Sequence, residues 1–164
     1  MPPPRPGRLV IGLAELVDLP EWRIVRLRAK VDTGARSSAL HVENIAEIAP
    51  DRVRFEVILH RDRPERRVTV EAPVVRRTRV RSSTGRAEPR VFVRTTLRIG
   101  RIVLPVELGL VDRAGMLYRM LIGRTALGTR FLVDPSRRYL LGEVPPALRQ
   151  SGRSSTASAR RSPA

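Results

Sequence analysis

Several short segments alternate apolar and polar residues with a period of two, and this pattern constrains the fold more than any other feature. From residue 25 to 31 every second residue is apolar, and the residues between them are arginine or lysine. Comparable alternation recurs at residues 53 to 59 and 91 to 97. A strand of this kind buries one face and exposes the other. About eight such strands, separated by turn residues, predict an all-β barrel or sandwich.

Local composition places the other elements. Residues 9 to 16 predict a first strand. Residues 68 to 80 predict a strand that lies at an edge or is broken at Pro73, because proline cannot donate to a sheet ladder. One short helix is expected over residues 124 to 130. A last hairpin is expected from residues 131 to 133 and 138 to 141, across the turn at Asp134 and Pro135.

Composition limits the domain and its surroundings. The 164 residues are 41% hydrophobic, which is enough for one small core. We expect a single domain over residues 8 to 142, a disordered proline-rich leader over residues 1 to 7, and a disordered tail over residues 143 to 164. No apolar run reaches the ~20 residues of a membrane span, and residues 9 to 13 are too short for a signal peptide. With no cysteine in the chain, these observations predict a cytoplasmic protein without disulfides.

The net charge of +16 indicates an anionic partner. Lys30 is the single lysine among 32 basic residues, and the arginines are spread through nearly every segment. Aromatic residues are only 4% of the chain, so a stacking surface for bases is not evident. An acidic peptide is as suitable a partner as a nucleic acid, which stays an alternative.

A carboxylate follows the first strongly alternating strand. Asp32, Thr33 and Gly34 end that strand, because glycine permits positive φ and aspartate favours turns. Asp-x-Gly is by itself a common turn sequence and does not indicate catalysis. Here Ala35, Arg36 and two serines follow it, and a later segment over residues 120 to 127 reads Met-Leu-Ile-Gly-Arg-Thr-Ala-Leu.

Together the two segments resemble retropepsin-like aspartic proteases, in which Asp-Thr-Gly-Ala is paired with a later apolar-apolar-Gly-Arg motif. The chain more closely resembles a bacterial family within that group that is labelled "ATP-dependent zinc protease". The additional matching positions, in order, are Ser83, Gly85, Arg90, Asp112, Arg113, Val133 and Asp134. The resemblance covers roughly residues 8 to 142 and implies a closed acid-protease barrel with one short C-terminal helix.

The resemblance also implies a mechanism and a partner. Hydrolysis by carboxylates needs two of them sharing one proton, and this chain supplies a single Asp-Thr-Gly. An aspartic endopeptidase would therefore be a homodimer in which Asp32 of each subunit activates a water, with Thr33 and Gly34 completing the loop. The residues expected to support this loop are Ala35, Leu121, Ile122, Gly123 and Arg124.

A flap that covers the substrate is expected between two strands, at residues 81 to 90. Ser83, Gly85 and Arg90 are its candidate residues, and an ordinary exposed hairpin is the equally good alternative. This segment is rich in Ser, Thr and Arg, whereas the flaps of the retroviral enzymes are rich in Gly and Ile.

The residues do not fit the zinc and ATP of the family label. Zinc catalysis needs about three protein ligands, and the chain has only His41 and His60, which are expected on strand surfaces. No phosphate-binding Gly-x-x-x-x-Gly-Lys sequence occurs. We therefore predict no metal and no cofactor. Asp112 is expected to pair with Arg113, and Asp134 to form the turn before Pro135.

Two other functions remain open. The same fold could be a non-catalytic module that binds acidic peptides or regulates a ligase, because relatives of this family accompany ATP-grasp ligases that add glutamates to protein ends. A basic nucleic-acid-binding protein is the third interpretation, and its binding would weaken steeply with salt.

Overall fold

A computed structural model describes residues 7–81, 84–112, 115 and 117–142. The strands in this part of the chain are β1 (Leu9–Gly12), β2 (Ala14–Leu19), β3 (Ile24–Val31), β4 (Ser38–Ala49), β5 (Arg52–Ile58), β6 (Arg67–Arg81), β7 (Ala87–Ile99), β8 (Ile102–Val111), β9 (Met120–Ile122) and β10 (Phe131–Asp134). A 3-10 turn (Pro20–Trp22) and one α-helix, α1 (Arg124–Leu127), complete them. The all-β prediction is confirmed. The expected tail and all but Gly7 of the expected leader lie outside the described residues.

Eight strands form one strongly curled sheet in the order β2-β3-β9-β4-β5-β6-β7-β8. Two further pairings, β2 with β7 and β4 with β8, connect strands that are distant in this order. Strands β1 and β10 form a separate parallel pair in which Val10 lies opposite Leu132. Among the described residues, no helix has the length and apolar character needed to cross a membrane.

Strand β6 continues through Pro73, so of the two alternatives predicted for this strand, an edge position or a break, the break does not occur. The strand pairs with β5 up to Pro73 and with β7 from Val74 onward. Pro73 therefore lies at the change of partner, where the backbone of Val74 donates instead to the carbonyl of Asp51 at 2.8 Å. The missing N–H of proline is tolerated because β5 begins opposite it, at Arg52, so that the pairing with β5 extends no further.

Two predictions for the chain ends were wrong. The first strand is divided at Leu13, because β1 pairs with β10 while β2 pairs with β3. The expected hairpin after β10 does not form among the described residues. Instead the segment after β10 lies against β2, with Tyr139 donating to the carbonyl of Ala14 at 2.8 Å. The buried carboxylate of Glu15 holds this segment, because it accepts the backbone N–H of Gly12 and Leu140, each at 2.9 Å.

The core is built mainly from aliphatic side chains, with Phe55, Phe92 and Phe131 also buried. Trp22 packs edge-on against Phe55 at 5.6 Å between ring centroids. The alternation predicted for β3 holds from Leu27 to Val31 and fails before it: Ile24 is buried, whereas Val25 is 66% exposed. The reason is a positive φ of 57° at Arg26, whose N–H donates to the Asp18 carboxylate. This local twist exchanges the two faces of the strand.

Candidate active site

Asp32 lies at the point where β3 leaves the sheet. Strand β3 is parallel to β9, with Val31 opposite Ile122, and the N–H of Asp32 donates to the carbonyl of Ile122 at 2.9 Å. The candidate carboxylate is thus carried by the last hydrogen-bonded position of a buried strand pair. Such a position is fixed by the sheet rather than by a flexible loop.

The loop folds back on the Asp32 side chain. One carboxylate oxygen, Oδ1, accepts the N–H of Gly34 at 3.0 Å, and the Asp32 carbonyl accepts the N–H of Ala35 at 3.2 Å. Gly34 does not use the positive φ that glycine permits at such a turn. A Cβ at Gly34 would instead lie 3.2 Å from Oδ1 of Asp32, so glycine here permits close approach to the carboxylate.

Residues that follow β9 hold the Asp32 loop from below. Gly123 passes so close to the preceding loop that a Cβ there would lie 2.5 Å from the carbonyl oxygen of Ser37. Its N–H donates to the buried hydroxyl of Ser38 at 3.0 Å. Thr125 bonds the carbonyl of Arg36 through both its N–H, at 3.1 Å, and its hydroxyl, at 2.8 Å.

Arg124 makes the most direct link between the two motifs. Its backbone N–H donates to the carbonyl of Ala35 at 2.8 Å, and its guanidinium donates to the carbonyl of Thr33 at 3.0 Å. Arg124 also begins α1, which is shorter than predicted and ends at Leu127, because Gly128 follows with a positive φ of 49°. Of the other two predicted support residues, Ile122 is buried and Leu121 is half-buried opposite Lys30.

The flap candidate is the β6–β7 hairpin. Gly85 lies in its tip with a φ of +82°, and apart from its chain neighbours no described residue has an atom within 4 Å of a Cβ added there. Arg90 lies away from the tip, half-buried opposite Thr78, and its Cδ is near Gly109 of β8. Ser83 lies outside the described residues. The covering role of this hairpin stays a prediction.

The two histidines do not both lie on strand surfaces. His41 is only 1% exposed within β4, and burial, together with the Arg119 charge, lowers its pKa from the usual 6.5. His60 is half-buried in the loop after β5, where its Nδ1 accepts the N–H of Asp62 at 3.1 Å. Within the described ranges, no three His, Cys, Asp or Glu side chains lie close enough together to hold a metal ion.

The other carboxylates have local roles. Asp134 accepts the hydroxyl of Ser136 and also its N–H, at 3.0 Å, and these two bonds, the hydroxyl bond first, lower the pKa of Asp134. The predicted turn at Asp134 is therefore confirmed. The proposed pairing of Asp112 with Arg113 is not described, because Arg113 lies outside the described residues. Asp32 is the carboxylate that the sheet presents beside the second motif.

A groove of about 490 Å³ lies beside the Asp32 loop. Its walls come from the loop after Asp32, from β6, from β8 and from α1, and include Arg36, Arg76, Glu107 and Thr125. Arg76 stacks on Phe92 at 3.9 Å and pairs with Glu107 at 3.5 Å. Sequence reasoning found neither this groove nor the hydroxyl of Ser38, because both depend on contacts between segments distant in the chain.

The sequence matches a known protein family over most of its length. Residues 10–143 match the family RimB-like, described as "Retropepsin-like aspartic endopeptidase RimB". The chain belongs to the RimB-like family. This confirms the resemblance drawn from the Asp32 and Gly123 motifs and the retropepsin-like fold that it implied.

Individual relatives of this RimB-like chain carry a different name. Proteins named "Probable alpha-L-glutamate ligase" from Desulfotalea psychrophila, Parasynechococcus marenigrum and Shewanella pealeana are 38%, 37% and 36% identical to it. Each match covers 84% of this chain, which spans only about 30% of the length of these relatives. A crystal structure of a Legionella pneumophila protein with unknown function has the same fold, with a TM-score of 0.67 and 27% identity over 81% of this chain and 98% of that one.

Proposed function

We propose that the protein is an aspartic endopeptidase that acts as a homodimer on acidic peptides. The carrying observation is the position of Asp32: its backbone is hydrogen-bonded to β9 and its loop is held by Arg124 and Gly123. A carboxylate in this setting is fixed before substrate arrives, as a catalytic group must be. The membership in a family described as aspartic endopeptidases supports the same conclusion.

The chemistry requires a second carboxylate, which the second subunit would supply. Two carboxylates within hydrogen-bonding reach share one proton, because like charges that close cannot both ionise. The ionised member accepts a proton from water as that water attacks the peptide carbonyl, and the protonated member donates to the carbonyl oxygen. Thr33 and Gly34 border this site, and the exposed position of both leaves room for a second copy of the loop.

The substrate class follows from charge and from the relatives. The net charge of +16 favours an acidic peptide, and the groove beside the Asp32 loop is lined by Arg36 and by Arg76, of which Arg76 pairs with Glu107. The relatives named alpha-L-glutamate ligase associate this domain with proteins named for the addition of glutamate. Glutamate-tailed peptides are therefore the substrates to test first.

The decisive experiment compares cleavage by the wild type, Asp32→Asn and Asp51→Asn. Peptides with acidic and with neutral tails are incubated with each protein between about pH 4 and pH 7.5, and products are identified by mass spectrometry. We expect cleavage by the wild type and by Asp51→Asn, whose exposed aspartate lies in the β4–β5 turn, and none by Asp32→Asn. A chelator should leave the rate unchanged. Equal activity of wild type and Asp32→Asn would refute the proposal.

Mixed dimers test whether the dyad is shared between subunits. Asp32→Asn protein is equilibrated with an equal amount of the wild type at constant total concentration. If each dimer needs both aspartates, the equal mixture keeps only about a quarter of its dimers fully active. If the mixture instead keeps half of the wild-type activity, as the halved share of wild-type subunits alone would give, each subunit acts without the aspartate of its partner.

The second candidate function is a non-catalytic module that binds acidic peptides or regulates a ligase. The names of the relatives favour it, since those longer proteins carry this domain as about 30% of their length. Binding of a glutamate peptide with equal affinity by wild type and Asp32→Asn, and without cleavage by either, would favour this function over the first.

A further inference from the structure

The face of β3 that carries Asp32 also carries two cations. Leu27, Ala29 and Val31 are buried, so the alternate positions Arg28 and Lys30 lie on the opposite face and are half-buried. Asp32 continues that second series, two residues beyond Lys30. At about 3.3 Å per residue, Arg28 lies about 13 Å from Asp32 along the strand.

The segment before β9 and the loop after β5 add further cations beside Arg28. Met120, the first residue of β9, is opposite Ala29, so Arg119, which immediately precedes β9, comes next to Arg28. Arg28, Arg119 and Arg61 line a cavity of about 210 Å³, together with His60 and one acidic residue, Asp62. We call the four residues Lys30, Arg28, Arg119 and Arg61 the cationic lane.

The guanidinium of Arg28 is held in a fixed orientation. It donates from Nε to the hydroxyl of Tyr139 at 2.9 Å. It also lies 5.6 Å from the ring centroid of Tyr118 and 5.8 Å from that of Tyr139. A cation fixed in this way loses little freedom when it binds a ligand, which favours recognition of one anionic group.

Arg119 is unusual because it is only 4% exposed. Burial, and then the charge of Arg61, lower the pKa of Arg119, whereas Asp62 and Glu43 act in the opposite direction. Buried cations are stabilised by anions close to them, so an anion entering the adjacent cavity would gain more from Arg119 than from an exposed arginine.

We propose that the cationic lane binds a carboxylate of the substrate about four residues from the scissile bond. For a substrate that lies extended alongside β3, the count follows from the ~13 Å between Arg28 and Asp32, because such a peptide rises by nearly the same distance per residue as β3. This inference rests on the proposed peptidase function. The carboxylate belongs either to an acidic side chain or to the end of the peptide, since both present the same two oxygens.

The cavity fits a peptide carboxylate better than a nucleic acid. Sequence-tolerant binding of single strands uses open aromatic faces on which bases stack. Here the two tyrosines beside the cavity are contacted by Arg28. Among the described residues, three arginines line the cavity with one aspartate, and Glu43 is near Arg119, so the site is positive on balance and compact rather than a continuous groove.

The test uses the full chain with Asp32→Asn, so that peptides are bound without being cleaved. The probes are fluorescent hexaglutamate with a free carboxyl end, the same peptide with an amide end, and hexaglutamine, measured by anisotropy at constant salt. We expect Arg119→Gln to weaken hexaglutamate binding about tenfold or more, as for loss of a charge-assisted hydrogen bond. Arg61→Gln, in an exposed loop where folding is not at risk, should weaken it about threefold. Arg101→Gln, an exposed arginine in the β7–β8 turn, removes the same charge and should have little effect.

The outcomes separate the possibilities. Equal binding of the acid and amide peptides assigns the site to a side-chain carboxylate, and binding of the acid form alone assigns it to the chain end. Equal losses in Arg61→Gln and Arg101→Gln would overturn the proposal in favour of general charge attraction. Displacement of the peptide by a short oligouridylate with the same dependence on Arg61 would overturn it in favour of nucleic acid.

Cleavage by the same variants in the wild-type background distinguishes this proposal from the proposed function. If the wild type cleaves hexaglutamate and Arg61→Gln has an unchanged KM, the proposed carboxylate binding by the cationic lane is refuted and the proposed peptidase function is supported. If binding depends on Arg61 and Arg119 but the wild type cleaves nothing, the carboxylate binding is supported and the peptidase function is refuted.

Discussion

Replacing Gly123 by alanine should damage the site through steric overlap alone. Gly123 has φ −90° and ψ 175°, an extended conformation that alanine adopts without strain. A Cβ there would lie 2.5 Å from the carbonyl oxygen of Ser37, 2.6 Å from its carbon, and 2.9 Å from the carbonyl oxygen of Arg36. All three atoms are backbone, so relief requires movement of the loop that follows Asp32.

The expected destabilisation is at the upper end of that for overpacking, about 2–3 kcal/mol. For a chain of this size it corresponds to a fall in melting temperature of about 6–9 °C. Chemical denaturation of Gly123→Ala measures the loss, with Gly115→Ala as the control, because apart from its chain neighbours no described residue has an atom within 4 Å of a Cβ at Gly115. If the two variants lose the same stability, within about 0.5 kcal/mol, the packing argument fails.

Four further variants test other parts of the structure. Ser38→Ala should lower the free energy of unfolding by about 1–3 kcal/mol, because the N–H of Gly123 loses its buried acceptor. Ser37→Ala should lower it much less, and urea unfolding of both variants tests the difference. Glu15→Gln should lose about 1–2 kcal/mol in the same assay, because an amide replaces a carboxylate that accepts backbone N–H groups, and an unchanged midpoint would contradict this. Arg124→Met should reduce kcat at least about tenfold but lower the free energy of unfolding by only ~1 kcal/mol, because the side chain is exposed and makes its bond to the Asp32 loop. Kinetic and unfolding measurements on the same variant separate the two effects. The folded protein holds the pKa of His41 below its unfolded value of 6.5, so the unfolded chain binds the proton more readily. The free energy of unfolding should therefore fall as the pH drops from about 6.5 to 5, by at most ~1.4 kcal/mol per pH unit. In His41→Gln the same measurement should show a less steep fall.

Side-chain periodicity predicted the strands well where burial alone decides the face of each residue. Strand β7 is an example from Val93 onward, where Val93, Thr95 and Leu97 are buried as the alternation requires, whereas Phe92 before them is buried against it. The same reasoning failed at Val25, because a single positive φ at the next residue reverses the faces. Backbone twists of this kind leave no trace in an alternation of residue types.

Strand partners and buried polar groups were harder to predict. Pairing of β1 with β10 joins the two ends of the domain, and nothing in either sequence specifies the other. His41 was expected at a surface, although the residues beside it, Leu40 and Val42, are both fully buried. An uninterrupted run of such residues indicates a strand that is buried on both faces, and that signal could have placed His41 correctly.

The two motifs were found from the sequence, but not the way in which they support each other. The hydrogen bonds from Gly123 to Ser38, from Arg124 to Thr33 and from Thr125 to Arg36 join residues 85, 91 and 89 positions apart. The Asp32 loop therefore takes its shape only when the sheet has closed, and it then has that shape within a single chain. In the proposed dimer, the second subunit would add a carboxylate to a loop that is already ordered. Activity lost on dilution would consequently reflect dissociation of the dyad and not unfolding of the site, so it should return on concentration without a change in circular dichroism.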